Sequence, residues 1–331
     1  VKTSAVGLDF VDSDLEKSVR ELLDAVEQAL RVSVASDDEF VAGVATYLVD
    51  AGGKRFRPLL AVLAAHFGDP NNDQVIAGAV VCELTHLATL YHDDVMDEAT
   101  VRRGAIAANA RWGNSVAILT GDFLFARASD ILADLGPEAV RLQARCFERL
   151  VTGQIRETVG PAAGADPIEH HLGVLAEKTG SLIATSAEFG ARFAGVDSES
   201  TNALREFGEQ IGVAFQISDD ILDIASNTGQ SGKTPGTDLR EGVQTLAALY
   251  AAQSADIADS RLRDLVSRPL TDDEELAEAL VLLRASAAIE KARSDLQSYA
   301  DAASDILKRL PDVPARAALA ALTELVVQRS G

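Results

Sequence analysis

HLATLYHDDVMDEATVRRG, residues 86–104, is the stretch on which the reading of this chain turns. Asp93, Asp94 and Asp97 crowd three carboxylates into five residues. The run before them, from Val75 to Tyr91, is apolar or small at most positions and reads as a buried helix. At about 100° per residue, Asp93 and Asp97 share a face and Asp94 lies off it. Like charges at that spacing repel, and an apolar helix gives them little reason to be solvated surface. A hard divalent cation with oxygen ligands relieves the repulsion, and Mg²⁺ takes one or two carboxylates together with substrate phosphates. Arg102 and Arg103 follow closely, so metal ligands and phosphate ligands sit in one short segment.

The pattern returns at residues 216–223, QISDDILD, where Asp219, Asp220 and Asp223 repeat the spacing of Asp93, Asp94 and Asp97. An apolar, glycine-bearing run from Phe207 to Ile217 precedes it. Two helices ending in the same aspartate pattern are expected to face each other across a cavity. Their carboxylates would clamp Mg²⁺ around one diphosphate.

With both motifs quoted, the chain resembles the trans-prenyltransferases, the all-trans polyprenyl diphosphate synthases. Further pieces fall in that family's order along nearly the whole chain. They are GGKRFRP at 52–58, His86, Arg102-Arg103-Gly104, Gly121-Asp122, Gly153-Gln154, Lys178-Thr179, Phe215-Gln216, and Gly232-Lys233 up to Asp238. The resemblance implies an all-α single domain, 1–331, of long helices around a central cavity. It makes Lys54, Arg57, His86 and Arg103 ligands of isopentenyl diphosphate. Arg102, Lys178 and Lys233 go to the allylic diphosphate. Asp93, Asp97, Asp219 and Asp223 hold Mg²⁺, about three ions per active site. Dipoles of Thr179 and Gln216, with Lys178, act on the developing carbocation. A homodimer is implied as well.

Composition agrees with helix. Hydrophobic residues make up 47% and aromatics only 5%, with alanine and leucine abundant. A net charge of −21 argues against nucleic acid and against anionic membrane surfaces as partners. Basic side chains for a diphosphate must therefore be locally concentrated. Cys82 and Cys146 sit in apolar helical patterns and suggest neither a disulfide framework nor a zinc site. No uninterrupted apolar run of about 18 residues occurs, so no membrane insertion is expected. The first residues lack the basic-then-apolar layout of a signal peptide, and a cytoplasmic enzyme is the default expectation.

Helical periodicity predicts segments at 12–32, 38–50, 108–134, 138–159, 243–254, 258–267, 272–285, 286–308 and 312–328. Gly52-Gly53 stops the second, and Pro58 opens the next helix. Basic residues beside that turn suit a phosphate. Gly121-Asp122 interrupts the 108–134 pattern and marks close helix packing. Lys178-Thr179-Gly180 reads as a helix break that leaves carbonyls and a hydroxyl to face a cavity. His170-His171 reads as a loop pair without a role. Residues 226–241, SNTGQSGKTPGTDLRE, read as a polar lid carrying Lys233. No strand alternation persists anywhere. Val243 and Ala247 stand where many relatives have lysine and proline, which removes one phosphate contact.

Two other functions are weighed. A class I terpene cyclase pairs its first aspartate motif with an Asn/Ser/Glu-type second motif and an aromatic cage. Three aspartates at 219–223 and a total of 11 Phe, 4 Tyr and 1 Trp favour chain elongation instead. A non-catalytic subunit of a hetero-oligomeric synthase would have little use for both motifs. Product length is read from Ala88 and Thr89, one turn before Asp93, where short-chain relatives carry a bulky aromatic. Thr85, Leu84 and Val81 continue the open row, and Phe125 and Phe147 are candidates for the floor. One helical turn rises about 5.4 Å, comparable to an isoprene unit, so a product of about six to ten units is expected. A geranylgeranyl or farnesyl diphosphate synthase is the shorter-chain alternative.

Overall fold

The computed structural model describes residues 7–8, 10–225 and 235–329. It is built almost wholly of helix. The helices are α1 Ser13–Ser33, α2 Glu39–Asp50, α3 Phe56–Ala65 and α4 Asp73–Met96. They continue with α5 Ala108–Trp112, α6 Asn114–Leu135, α7 Pro137–Val159, α8 Pro167–Leu175, α9 Ser181–Phe193 and α10 Ser198–Ala225. The last six are α11 Thr237–Glu241, α12 Leu246–Ala252, α13 Ser260–Val266, α14 Asp273–Ala285, α15 Ala287–Leu307 and α16 Pro314–Gln328. Acidic and amide caps set many starts. Asp12, Asp38, Asn72, Asp166 and Asp272 each accept backbone N–H groups of the first turn that follows.

The all-α reading holds, and local details depart from the sequence expectations. A two-stranded antiparallel ribbon, β1 Val101–Arg102 with β2 Ala105–Ile106, follows the first aspartate motif. Two residues per strand are too few to show alternation. Gly113, with φ of 86°, separates α5 from α6, whereas Gly121 lies inside α6. There it does mark close packing: a Cβ at Gly121 would stand 2.3 Å from Nε2 of His92 on α4. The helix break at 178–180 is instead a π-turn, Ala176–Gly180, between α8 and α9. The helix widens there without ending. Residues 226–234 of the lid segment, Lys233 among them, lie outside the described residues, and 237–241 form helix α11 rather than loop.

The Cα framework divides into two compact units. The first comprises 1–148, 182–208 and 306–321. Its axis is α4, which packs against α1, α3 and α6. Apolar side chains surround α4 on nearly every side, as a core helix requires. Its length and composition would also let it cross a membrane, but 67% of its most apolar window is buried inside the protein. Tyr91 of α4 donates to the Val44 carbonyl of α2 at 2.5 Å, which ties the end of α4 to its neighbour.

The second unit comprises 149–181, 209–305 and 322–331. Within it α12 packs on α8 and α13, and α13 on α14. Arg284 of α14 donates to the Ile224 carbonyl near the end of α10 at 2.7 Å. Cys82 and Cys146, both in the first unit, are buried and unpaired by any disulfide.

Candidate active site

In the first unit, α4 carries Asp93 and Asp94 into its last turn, and Asp97 caps its C-terminus. Asp94 is fully buried and accepts Nε of Arg102 at 2.5 Å. The same guanidinium lies 3.9 Å from Asp97. Oδ2 of Asp94 is buried with no hydrogen-bond partner. Off-face Asp94 is therefore a holder of Arg102, while Asp93 and Asp97 remain on the more open side. The β1–β2 ribbon turns at Arg103, whose backbone is left-handed with φ of 52°. That turn sends Arg103 to the Gly52-Gly53 loop. It donates to the carbonyls of Leu48, at 2.9 Å, and Gly52, and its guanidinium lies against Gly53.

Arg55, between the two predicted diphosphate ligands of this loop, has a different task. It pairs with Glu27 at 2.9 Å and Glu83 at 3.0 Å and bonds the Val49 carbonyl. It fixes the loop while Lys54 remains exposed. Arg57 is deeply set, and its Nε is buried without a partner. Burial draws the Arg57 pKa down, and Glu83 opposes that. His86 is held well below the usual histidine range, first by burial and then by Arg57, Arg103, Arg102 and Arg55. Burial and these arginines disfavour the charged form of the imidazole. Despite the net charge of −21, the cations are concentrated at this point.

The row read for product length is also placed. Leu84, Thr85 and Ala88 are fully buried, and Thr89 is half-buried. Thr85 accepts Nε2 of Gln143 on α7 at 2.8 Å. Phe125 and Phe147 stack on each other with ring centroids 4.6 Å apart, and His92 lies 5.8 Å from Phe125.

In the second unit, the π-turn brings Lys178 into an ion pair with Glu157 of α7. A Cβ at Gly153 would meet the Lys178 backbone nitrogen at 2.7 Å, so only glycine lets α7 come this close. This gives a physical reason for Gly153-Gln154 in the motif set. Thr179 is buried, and its hydroxyl lies 3.4 Å from Oε1 of Gln216 on α10. Gln216 in turn donates to Oδ1 of Asp220 at 2.9 Å. Burial pushes Asp220 up to about 7; the Gln216 amide opposes this, and Asp219, Asp223 and Glu157 add to it. Asp223 accepts the backbone N–H groups of Thr237 and Asp238 at 3.3 and 3.1 Å, so it also caps α11.

The sequence reading missed His171. It is on α8, not in a loop, with Nε2 3.9 Å from Oδ2 of Asp220 and no hydrogen-bond partner. Burial, then His170, pushes its pKa down to about 4. No local feature of the sequence separates it from His170.

The donor set fits Mg²⁺. Each motif offers carboxylate oxygens four residues apart, the hard ligands this ion prefers. Among the described residues no three His, Cys, Asp or Glu side chains converge as a preformed cage.

The sequence model of the polyprenyl synthetase family matches residues 38–283. A nonaprenyl diphosphate synthase of Mycobacterium tuberculosis is 50% identical over 99% of this chain and 98% of its own. A dimethylallyltranstransferase of the same organism is 42% identical over 95% of each. Among solved structures, geranylgeranyl pyrophosphate synthase from Corynebacterium glutamicum, complexed with calcium and isoprenyl diphosphate, superposes with a TM-score of 0.88. It shares 46% identity and covers 98% of this chain and 100% of that one. Matched along nearly its full length, in both sequence and fold, this chain belongs to the polyprenyl synthetase family and is a prenyltransferase.

Proposed function

We propose that the chain condenses an allylic diphosphate with successive isopentenyl diphosphates to an all-trans product of about six to ten isoprene units, suited to a quinone side chain. The observation that carries the chemistry is the concentration of arginines beside the first motif: Arg102 bound by Asp94, Arg103 laid against the Gly52-Gly53 loop, and Arg57 with a buried, unpartnered Nε. Diphosphate recognition needs that concentration of charge in a chain otherwise strongly acidic.

Ionisation of the allylic C–O bond releases diphosphate and leaves an allylic cation. Asp93, Asp97, Asp219 and Asp223 would hold Mg²⁺, about three ions, which would neutralise the leaving group's charge. Arg102, Lys178 and Lys233 add hydrogen bonds to it. The π-turn and Gln216 aim carbonyl and hydroxyl dipoles at the cation. Lys54, Arg57, His86 and Arg103 hold isopentenyl diphosphate so that its double bond attacks. A C–C bond forms, and the proton lost leaves with the diphosphate. The apolar wall around α4 keeps water from the cation, which would otherwise be quenched to an alcohol.

Length of product rests on Ala88, Thr89, Thr85 and Leu84, none of them aromatic, and on the nonaprenyl relative. The geranylgeranyl relative represents the shorter alternative. Incubation of the purified chain with isopentenyl and farnesyl diphosphates plus Mg²⁺, with product length read by chromatography, tests the proposal. Products stopping at four units would favour the shorter reading. A need for a second polypeptide would favour a hetero-oligomeric synthase.

Arg57→Ala should raise the KM for isopentenyl diphosphate at least about tenfold while leaving the allylic KM nearly unchanged. An equal loss for both substrates would make Arg57 a support of the fold.

We also propose a homodimer. Ile118 and Leu119 on α6 are 42% and 65% exposed, an apolar pair with no cover in the isolated chain. Light scattering at working concentration should give twice the chain mass, and a fully active monomer would contradict it. Location in the cytoplasm belongs to the same proposal and agrees with two unbridged cysteines.

A further inference from the structure

Arg329 lies just beyond the end of α16, 111 residues after Ser218, which precedes the second aspartate motif. Its guanidinium is spent entirely on one turn of α10. Nε donates to the Ser218 hydroxyl at 3.0 Å. One terminal nitrogen donates to the Phe215 carbonyl at 2.7 Å. The other pairs with Oδ1 of Asp219 at 3.0 Å. The plane of the group also lies over the Phe215 ring, 4.1 Å from its centroid. Ser218 returns the bond by donating to the Val326 carbonyl of α16 at 2.7 Å. The side chain is only 18% exposed, so these contacts are made largely out of water.

We propose that Arg329 is a positioning residue for the second aspartate motif: it fixes the Asp219 carboxylate in the orientation in which it holds metal. The inference rests on the reading of Asp219 as a ligand. A carboxylate at the end of a helix turn has two torsions to lose when it binds an ion. A guanidinium bonded to one of its oxygens, itself anchored by a carbonyl, a hydroxyl and an aromatic face, removes that freedom in advance. A carboxylate has about four lone-pair sites, so an arginine bond and a metal bond coexist on it. Arginine is suited to this task because its rigid planar fork meets three acceptors and stacks at once, which an ammonium does not do. Outer partners of metal ligands typically change metal affinity by about 10–100-fold when removed.

The test uses the full chain and two readouts. One is the Mg²⁺ concentration for half-maximal turnover. The other is binding of Mn²⁺ in the presence of inorganic diphosphate, followed by electron paramagnetic resonance without turnover. Arg329→Gln should weaken both by about 10–100-fold and leave the KM for isopentenyl diphosphate unchanged. Arg329→Lys should recover part of the loss. Ser218→Ala, which removes the Nε acceptor together with the bond to the Val326 carbonyl but keeps the arginine, should shift both readouts the same way by a smaller factor. It serves as the deciding variant if Arg329→Gln does not fold. Unchanged Mn²⁺ binding in these variants, with binding lost in Asp219→Ala, would overturn the positioning role alone. Tighter binding in Arg329→Gln would mean that the arginine competes with the metal, and would also overturn it. Unchanged binding in Asp219→Ala would overturn the ligand reading beneath it.

Discussion

Asp93→Ala and Asp219→Ala should each lower turnover by at least about a hundredfold at saturating Mg²⁺, a loss of about 3 kcal/mol of charge stabilisation at the leaving group. The reason is the placement of the two residues. Asp93 stands in the last turn of an apolar helix, and its neighbour Asp94 binds Arg102. Removing Asp93 leaves that Asp94–Arg102 bond intact and takes a carboxylate from the more open side. The same substitution at buried Asp94 would release Arg102, so the two variants should differ in their response to Mg²⁺. Asp93→Ala is not rescued by more metal, since the ligand itself is missing. Steady-state rates across a Mg²⁺ titration check this. Near-normal turnover in either Asp93→Ala or Asp219→Ala would end the reading of the two motifs as metal-holding carboxylates.

The second large effect is on product size. Ala88→Phe should shorten the product to about three or four isoprene units while the first condensation continues, because one helical turn corresponds to about one unit of tail. Ala88 is fully buried on α4, and its carbonyl would lie 3.0 Å from a Cβ placed at Gly121, so α4 and α6 run close there. A phenyl ring added to such a site costs about 1–3 kcal/mol in strain, and thermal unfolding should be measured alongside. Thr89→Phe, at a half-buried position on the same row, gives the independent check. Chromatography of the products decides. An unchanged length in both variants would show that the tail does not pass these residues.

Much of this was legible from periodicity and caps. The long segments 12–32, 38–50, 138–159 and 272–285 lie within one or two residues of α1, α2, α7 and α14, because each has an amphipathic stripe with a cap or a proline at its start. The aspartate motifs were legible because a spacing repeated twice is improbable on any face that is merely solvated. What escaped depends on contacts between distant residues. Nothing local separates Arg55 from Arg57, yet the first is spent on Glu27 and Glu83 and the second keeps a buried Nε without a partner. His171 became visible only when α8 set it beside Asp220, and Arg329 only when α16 met α10. The β1–β2 ribbon was too short to show alternation, and the π-turn has the composition of a helix break without being one.

That π-turn has a consequence for anyone who would engineer the protein. Its extra residue per turn rotates everything after it by about 100° relative to a uniform helix. A wheel drawn through α8 and α9 as one helix assigns the wrong neighbours to half its residues. Stability-guided design would be drawn to Gly180, where a methyl group meets nothing nearer than 3.4 Å. Alanine there improves helix propensity by about 1 kcal/mol. The gain favours the regular helix over the wide turn, and with it a direction for Lys178 and Thr179 other than the one they now have. If Lys178 and Thr179 act as proposed, a thermostability screen blind to turnover would select against activity at this turn.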